Sequence, residues 1–161
     1  MDEQTYLAKL QAAENTLYHM ACTLVSNEAD RNDALQETAL RAWQNRDQLR
    51  HEEYFTTWAV RILINVCHTM GRKQSRTVVT NQTCDRPAPE SDVEMRLLLD
   101  ALPTRHRIPL VLYYLEGFSM KEVARAMGVP MGTAKYRLHQ ARRALKVELD
   151  DGKEAGHHEG K

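Results

Sequence analysis

Apolar residues recur along this chain at spacings of three and four, and no stretch sustains the strict alternation of a half-buried strand. That pattern predicts helices throughout. In the first half it predicts helices over about residues 4–26, 28–45 and 53–72. Ser26 or Asn27 suits the cap of the second, and Asp30 and Asp33 favour its first turn through the helix dipole. Leu35, Ala39, Ala42 and Trp43 fall on one side of that helix, and Trp58, Ile62, Leu63, Val66 and Met70 on one side of the third. The segment NRDQLRHEE between them is a polar connection. The period lapses over residues 73–90, which are polar and carry Pro87 and Pro89. A patternless stretch of this length is unusual inside one compact domain, so it reads as a flexible interdomain linker. Helical spacing resumes from about Ser91 to Leu149, and residues 150–161 read as a disordered tail. The expected fold is therefore all-α, with two small helical domains, 1–72 and 91–149, joined by the linker.

The back half carries the most specific local pattern. Ser119 followed by Glu122 fits a capping box, in which each side chain satisfies a free backbone donor at a helix start. Val123, Ala124 and Met127 give a short helix its apolar face, Gly128 suits the left-handed helix end, and Pro130 suits a new start. The next helix places Ala134, Leu138, Ala141 and Leu145 on one side. Lys135, Arg137, Arg142, Arg143 and Lys146 project from its other positions. A short helix, a glycine turn and a basic second helix match the way a helix-turn-helix enters the major groove. Thr133, Lys135, Tyr136 and Arg137 lie near the end that reaches base edges, whereas Arg142, Arg143 and Lys146 are better placed for phosphates. A solvated basic helix in a bundle is the plainer alternative. Upstream, Pro103 suits a first helical residue, while Pro109 predicts a kink or a fresh start near Ile108.

Charge changes the picture because it is unevenly placed. The chain of 161 residues has a formal net charge of zero, yet residues 1–70 hold 6 basic and 10 acidic side chains and residues 100–149 hold 9 and 4. Two surfaces with different partners follow, and weak non-specific DNA affinity for the free chain. On the second helix Asp33, Gln36, Glu37, Arg41 and Gln44 form an acidic and amide face suited to a protein partner or simply to water. On the third, Arg61, Asn65, Arg72, Lys73 and Arg76 form a polar-to-basic edge with Tyr54 and Phe55 at its entrance, an arrangement that can stack and neutralise single-stranded DNA. Cys22, Cys67 and Cys84 make no disulfide framework or zinc pattern, and Cys22 and Cys67 read as buried small hydrophobes in a reducing compartment. No stretch is apolar enough to span a bilayer, no secretory leader is evident, and no phosphate loop, triad or HExxH motif occurs. The expectation is a cytoplasmic protein that is not an enzyme and needs no metal or other cofactor.

Taken in order, DALQETALRAW, FTTWAVRILINVCHTMGRK and LPTRHRIPLVLYYLEGFSMKEVARAMGVPMGTAKYRLHQARRAL resemble the sigma-70 family of bacterial RNA polymerase sigma factors, in its short extracytoplasmic-function form. The likeness runs over about residues 5–149. It implies that Asp33, Gln36 and Glu37 contact the β′ clamp helices of core polymerase, the β subunit being a further partner. It implies that Arg61, Asn65, Arg72 and Lys73 meet the -10 promoter element. The loop from about Asn45 to Phe55 would hold a flipped base and so promote melting. The resemblance also implies that Thr133, Lys135, Tyr136, Arg137, Arg142 and Arg143 meet the -35 element, and that an anti-sigma factor, often membrane-bound in the family, controls the chain.

The sequence departs from the family pattern at Asn32, Ala39, Thr69 and Gly71, which bears on the detail of -10 recognition. Two other readings use the same residues. A conventional dimeric regulator would use the helix-turn-helix without the DALQETALRAW face. A sequestering interaction protein would tolerate loss of Lys135 and Arg137.

Overall fold

The computed structural model describes the backbone of residues 1–73 and 97–157, with the side chains of 1–71 and 97–146. The linker reading, Arg76 and Cys84 lie outside the described residues, as do the side chains of Arg72 and Lys73. Among the described residues the chain is helical and has no strands. The front half contains α1 (Glu3–Leu24), α2 (Glu28–Gln44) and α3 (Phe55–Lys73). Short 3-10 turns at Arg46–Gln48 and Glu52–Tyr54 lie between the last two. The back half contains α4 (Thr104–Leu110), a π-helical turn (Val111–Leu115), α5 (Met120–Met127) and α6 (Met131–His157).

The helix starts are chemically legible. Asp2 caps α1 by accepting from the Thr5 amide at 2.8 Å, and Asn27 caps α2 by accepting from the Asp30 amide at 3.3 Å. The core of the front half gathers on α3, where Phe55, Ala59, Val60, Leu63, Ile64, Val66 and Cys67 are all buried. Trp58, Ile62 and Met70, expected in the core, are only partly buried. On α2 the buried side is Arg31, Ala34, Thr38 and Ala42, one step round from the expected stripe. Thr38 fits there because its hydroxyl donates to the Ala34 carbonyl at 2.7 Å, so its polar group is satisfied within the helix. Phe55, read as an aromatic at the DNA entrance, is a core residue instead. It is 2% exposed, meets the Tyr6 ring edge-on at 5.8 Å and lies tilted against Trp58 at 5.9 Å.

Three expectations about the back half are corrected. Pro109 lies inside α4 and does not break it at Ile108; the irregularity falls after it, at Val111–Leu115. There the ladder widens, with the Glu116 amide donating to the Val111 carbonyl at 2.9 Å, and the helical run continues past the proline. Pro103 precedes the first helical residue Thr104 and stands as its cap. The backbone of α6 also runs on to His157, past the end expected near Leu149. Lys153, Glu154 and Ala155 are good helix formers, and each residue added to an existing helix costs far less than starting one.

The cysteines divide. Cys67 is 6% exposed and burial pushes its thiol up to about 12, so it is an inert core residue at neutral pH. Cys22 is half-buried and disulfide-bonded, against the expectation of a second buried free thiol. The buried stripe of α1 is Tyr6, Ala13, Leu17, Met20 and Ala21, and Cys22 lies a step of about 100° off its edge.

The two halves pack directly on one another. The α3 helix lies against α5, α1 lies against α4, and one continuous apolar cluster includes residues of both halves. At the seam His19 Nδ1 meets Glu116 Oε1 at 2.9 Å.

A pH dependence follows from His106 on α4. Its Nδ1 is buried without a partner, and burial, helped by the neighbouring Arg105, lowers its pKa below the ordinary 6.5. The unfolded chain therefore takes up this proton at a higher pH than the folded one. Folding stability carries no penalty from this group well above 6.5 and falls as pH drops through that value toward the folded pKa. Thermal melts between pH 7.5 and 5 should show His106→Gln losing less stability on acidification than the parent chain. Equal losses would show that His106 plays no part.

Candidate nucleic-acid interface

The helix-turn-helix forms as its residues dictate. Ser119 Oγ accepts from the Glu122 amide at 3.2 Å, one half of the expected capping box. Gly128 ends α5 at φ 69°, ψ 33°, a left-handed conformation that costs a side-chain-bearing residue about 1 kcal/mol or more. Its amide donates to the Arg125 carbonyl and closes the turn. Pro130 then accepts the first bond of α6 from Ala134 at 3.0 Å. Val123, Ala124, Ala126, Ala134, Leu138 and Ala141 are buried, so the two helices are fixed by one shared apolar seam.

The predicted side chains of α6 separate into three groups at about 100° per residue. Tyr136 and Arg143 point directly away from the buried seam, and Tyr136 is 63% exposed. Thr133, half-buried, and Arg137, exposed, lie along one flank. Lys135, Arg142 and Lys146, all exposed, lie along the other. That second flank borders a cavity of about 220 Å³ lined by Leu99, Leu110, Tyr114, Leu115 and Leu145 with Arg142 and Lys146. Arg142 stands over the Tyr113 and Tyr114 rings at 5.8 and 5.4 Å, which anchors its guanidinium at this rim. Sequence reasoning missed the cavity; the run Val111–Leu115, with more apolar residues than one helix face can bury, was the available signal.

In the front half, Asp33 and Gln36 are exposed on α2 and Glu37 is half-buried, its carboxylate accepting from Arg41 Nε at 2.7 Å. Leu40, which the sequence reading passed over, shares this face at i, i+3, i+4 and i+7 spacing and is 50% exposed. An acidic face with one bare leucine suits a protein partner better than DNA. On α3, Arg61 and Asn65 are exposed on the helix's polar side. The structure does not bring Arg61 into open solvent alone: its guanidinium lies against the Gly128 turn, where an added Cβ would sit 3.4 Å from it. Tyr54, at the start of the same helix, is covered by Arg125 at 4.6 Å from its ring. The Asn45–Phe55 connection is held by Arg46, which stacks on Trp43 at 3.7 Å and donates to the Trp43 carbonyl at 2.8 Å. Among the described residues no cluster of side chains could hold a metal ion, and no helix is long and apolar enough to cross a membrane.

Known proteins match both halves. Residues 10–77 match the family described as Sigma-70 region 2, and residues 92–145 that described as Sigma-70, region 4. The ECF RNA polymerase sigma factor EcfG of Rhodopseudomonas palustris is 32% identical, over 86% of this chain and 81% of its own length. The ECF RNA polymerase sigma factor SigW of Bacillus subtilis is 25% identical, over 93% of this chain and 91% of its own. In fold, the chain is similar to the sigma factor RpoE solved with the anti-sigma factor NepR from Bartonella quintana. The TM-score there is 0.75 at 24% identity, covering 90% of this chain and 96% of that one. CnrH, solved with the cytosolic domain of CnrY, gives a TM-score of 0.69 at 23% identity, covering 93% and 90%. With a helix-turn-helix in the back half and matches across both halves, the chain belongs to the sigma-70 family, as a sigma factor of the extracytoplasmic-function type.

Proposed function

We propose that this chain directs core RNA polymerase to promoters with a -10 and a -35 element and promotes their opening without catalytic residues of its own. The observation that carries this reading is the pairing, in one chain, of the Asp33–Gln36–Leu40 face with the exposed basic helix α6. In this reading Asp33, Gln36 and Glu37 dock on the β′ clamp helices, with Leu40 as the apolar anchor of the contact. The apolar cavity beside Tyr114 and Leu115 suits the β subunit, since its rim is basic and its floor apolar. Thr133, Lys135, Tyr136, Arg137, Arg142 and Arg143 serve the -35 duplex, and Arg61, Asn65, Arg72 and Lys73 the -10 element. A base captured near the Asn45–Phe55 connection would hold the strands apart, offsetting the few kcal/mol that unstacking costs. The complexed state of the similar solved sigma factors supports an anti-sigma partner for this chain as well.

Run-off transcription with purified bacterial core polymerase and a promoter library tests the whole reading. Initiation that depends on the added chain is the expected result, and Leu40→Ser should reduce it about tenfold, in line with loss of one central apolar contact. DNA binding by the chain alone, with no initiation under any condition, would instead favour a conventional regulator.

A further inference from the structure

The front half carries an apolar knob, the back half an apolar hole, and the charges around them are opposite. On α2 the half-exposed Leu40 is preceded on the same face by Glu37 and Asp33, about 4.5 and 10.5 Å along the axis. In the back half the cavity of about 220 Å³ is walled mainly by leucines, with Arg142 and Lys146 at its rim. Those two cations are one turn apart on α6 and bracket Leu145, and the Tyr113 and Tyr114 rings hold the Arg142 guanidinium in place. A space of about 150 Å³ is enough for a benzene ring, so the isobutyl group of one leucine fits here.

Knob and hole are open in the same chain. Tyr114 and Leu115 at the mouth are 52% and 37% exposed, and Leu40 does not line the cavity of its own chain. A bare apolar residue and a complementary pocket elsewhere on one surface are the condition for head-to-tail contact between copies, each giving its knob to the next. Charge favours the same pairing. The formal net charge is zero, so copies do not repel as wholes, while the acidic excess of one front half attracts the basic excess of another back half.

We infer that free copies of this chain associate head to tail, Leu40 of one entering the Leu115–Leu145 cavity of the next, with Glu37 and Asp33 set against Arg142 and Lys146. The contact is small, which puts it in the weak, transient class and makes it fill only as concentration rises. It has no two-fold axis, so each added copy leaves one knob and one hole uncovered and growth does not stop at two. The two surfaces it covers are those assigned above to the β′ clamp and the β subunit. Masking of polymerase docking rests on that reading; the association itself does not. Copies in excess of polymerase would hold one another in reserve.

Analytical ultracentrifugation of the full chain, over a roughly fiftyfold range of concentration, tests this. The average mass of the parent should climb steadily above that of one chain. Leu40→Ser removes the knob and Leu115→Glu sets an acid in the mouth of the hole, so each variant alone should keep the mass of one chain throughout. Mixed in equal amounts, the intact hole of the first meets the intact knob of the second, and the mass should rise again but never past two chains. Misfolded chains would not complement each other, so recovery separates lost contact from damage. A parent of constant mass overturns the inference. So does either variant that associates as the parent does; pairing of two Leu40 faces, for example, would survive Leu115→Glu. A mixture that stays at one chain overturns it as well. Core polymerase added at one per chain should dissolve the assemblies, and assemblies that persist would overturn the masking. If the polymerase reading itself were wrong, run-off product would be missing while the masses behaved as expected.

Discussion

Replacing Leu63 with alanine is expected to cost about 2–5 kcal/mol and lower the melting temperature by about 8–20 °C. Leu63 is fully buried on α3, the helix that packs against α1, α2 and α5. The lost methyl groups leave a cavity that so many converging elements cannot easily fill by relaxing. Whole domains of this size are stable by only about 5–15 kcal/mol, so the loss is a large share of the total. Leu40→Ser is the fitting control: half-exposed, it should change stability by no more than about 0.5 kcal/mol while still weakening polymerase docking. Thermal melts followed by circular dichroism decide the matter. A shift below about 2 °C for Leu63→Ala would mean that α3 is not the centre of the core. The seam adds a second reading from the same melts. Because one apolar cluster spans both halves, the parent should unfold in a single transition, and the variant should take the back half with it.

What was legible in the sequence was local. Asn27, Ser119, Gly128 and Pro130 act within one turn of their own positions, so their roles follow from residue type and spacing alone. The seam of α6 was legible for the same reason, since Ala134, Leu138 and Ala141 all face one way. What escaped depended on neighbours that are distant in sequence. Arg31 is 1% exposed on α2, a position that hydropathy assigns to water. Phe55 looked like a stacking platform because it follows Tyr54 beside basic residues, and only the approach of Tyr6 from α1 makes it core. Pro109 was read by its local cost, which is real, yet the helix runs through it and the irregular turn comes only afterwards.

The candidate sites divide in the same way. Exposure of Asp33, Gln36, Lys135, Tyr136 and Arg137 follows from their positions off each apolar stripe, and the structure shows them exposed. On α3, Val60, Ile64 and Cys67 were visible as apolar positions off the expected stripe, yet periodicity cannot name what covers a face. Leu40 and the cavity under Tyr114 share that limit: each is an unexplained apolar position until the rest of the fold leaves it bare.

Arg137→Ala should lower the affinity of the polymerase–sigma complex for its promoter by about 5- to 150-fold, the range for losing one good base contact of about 1–3 kcal/mol. Arg137 sits early in α6, on the flank shared with Thr133, where a side chain reaches base edges when the helix enters the major groove. Its loss should also relax discrimination at one -35 position while leaving the others intact. Arg143→Ala should behave differently. Arg143 points outward two turns further along, suited to a phosphate, so binding should weaken equally for every -35 sequence and the dependence on salt should fall by about one charge. Competition binding on duplexes substituted one base pair at a time, repeated at several salt concentrations, separates the two behaviours. Uniform weakening by Arg137→Ala would assign that side chain to the backbone and leave Lys135 and Tyr136 as the base readers. A sequence-selective loss at Arg143 would mean that α6 lies deeper in the groove than its N-terminal turn suggests. Either result would fix the docking of α6, because two residues six positions apart on one helix constrain both its depth and its roll.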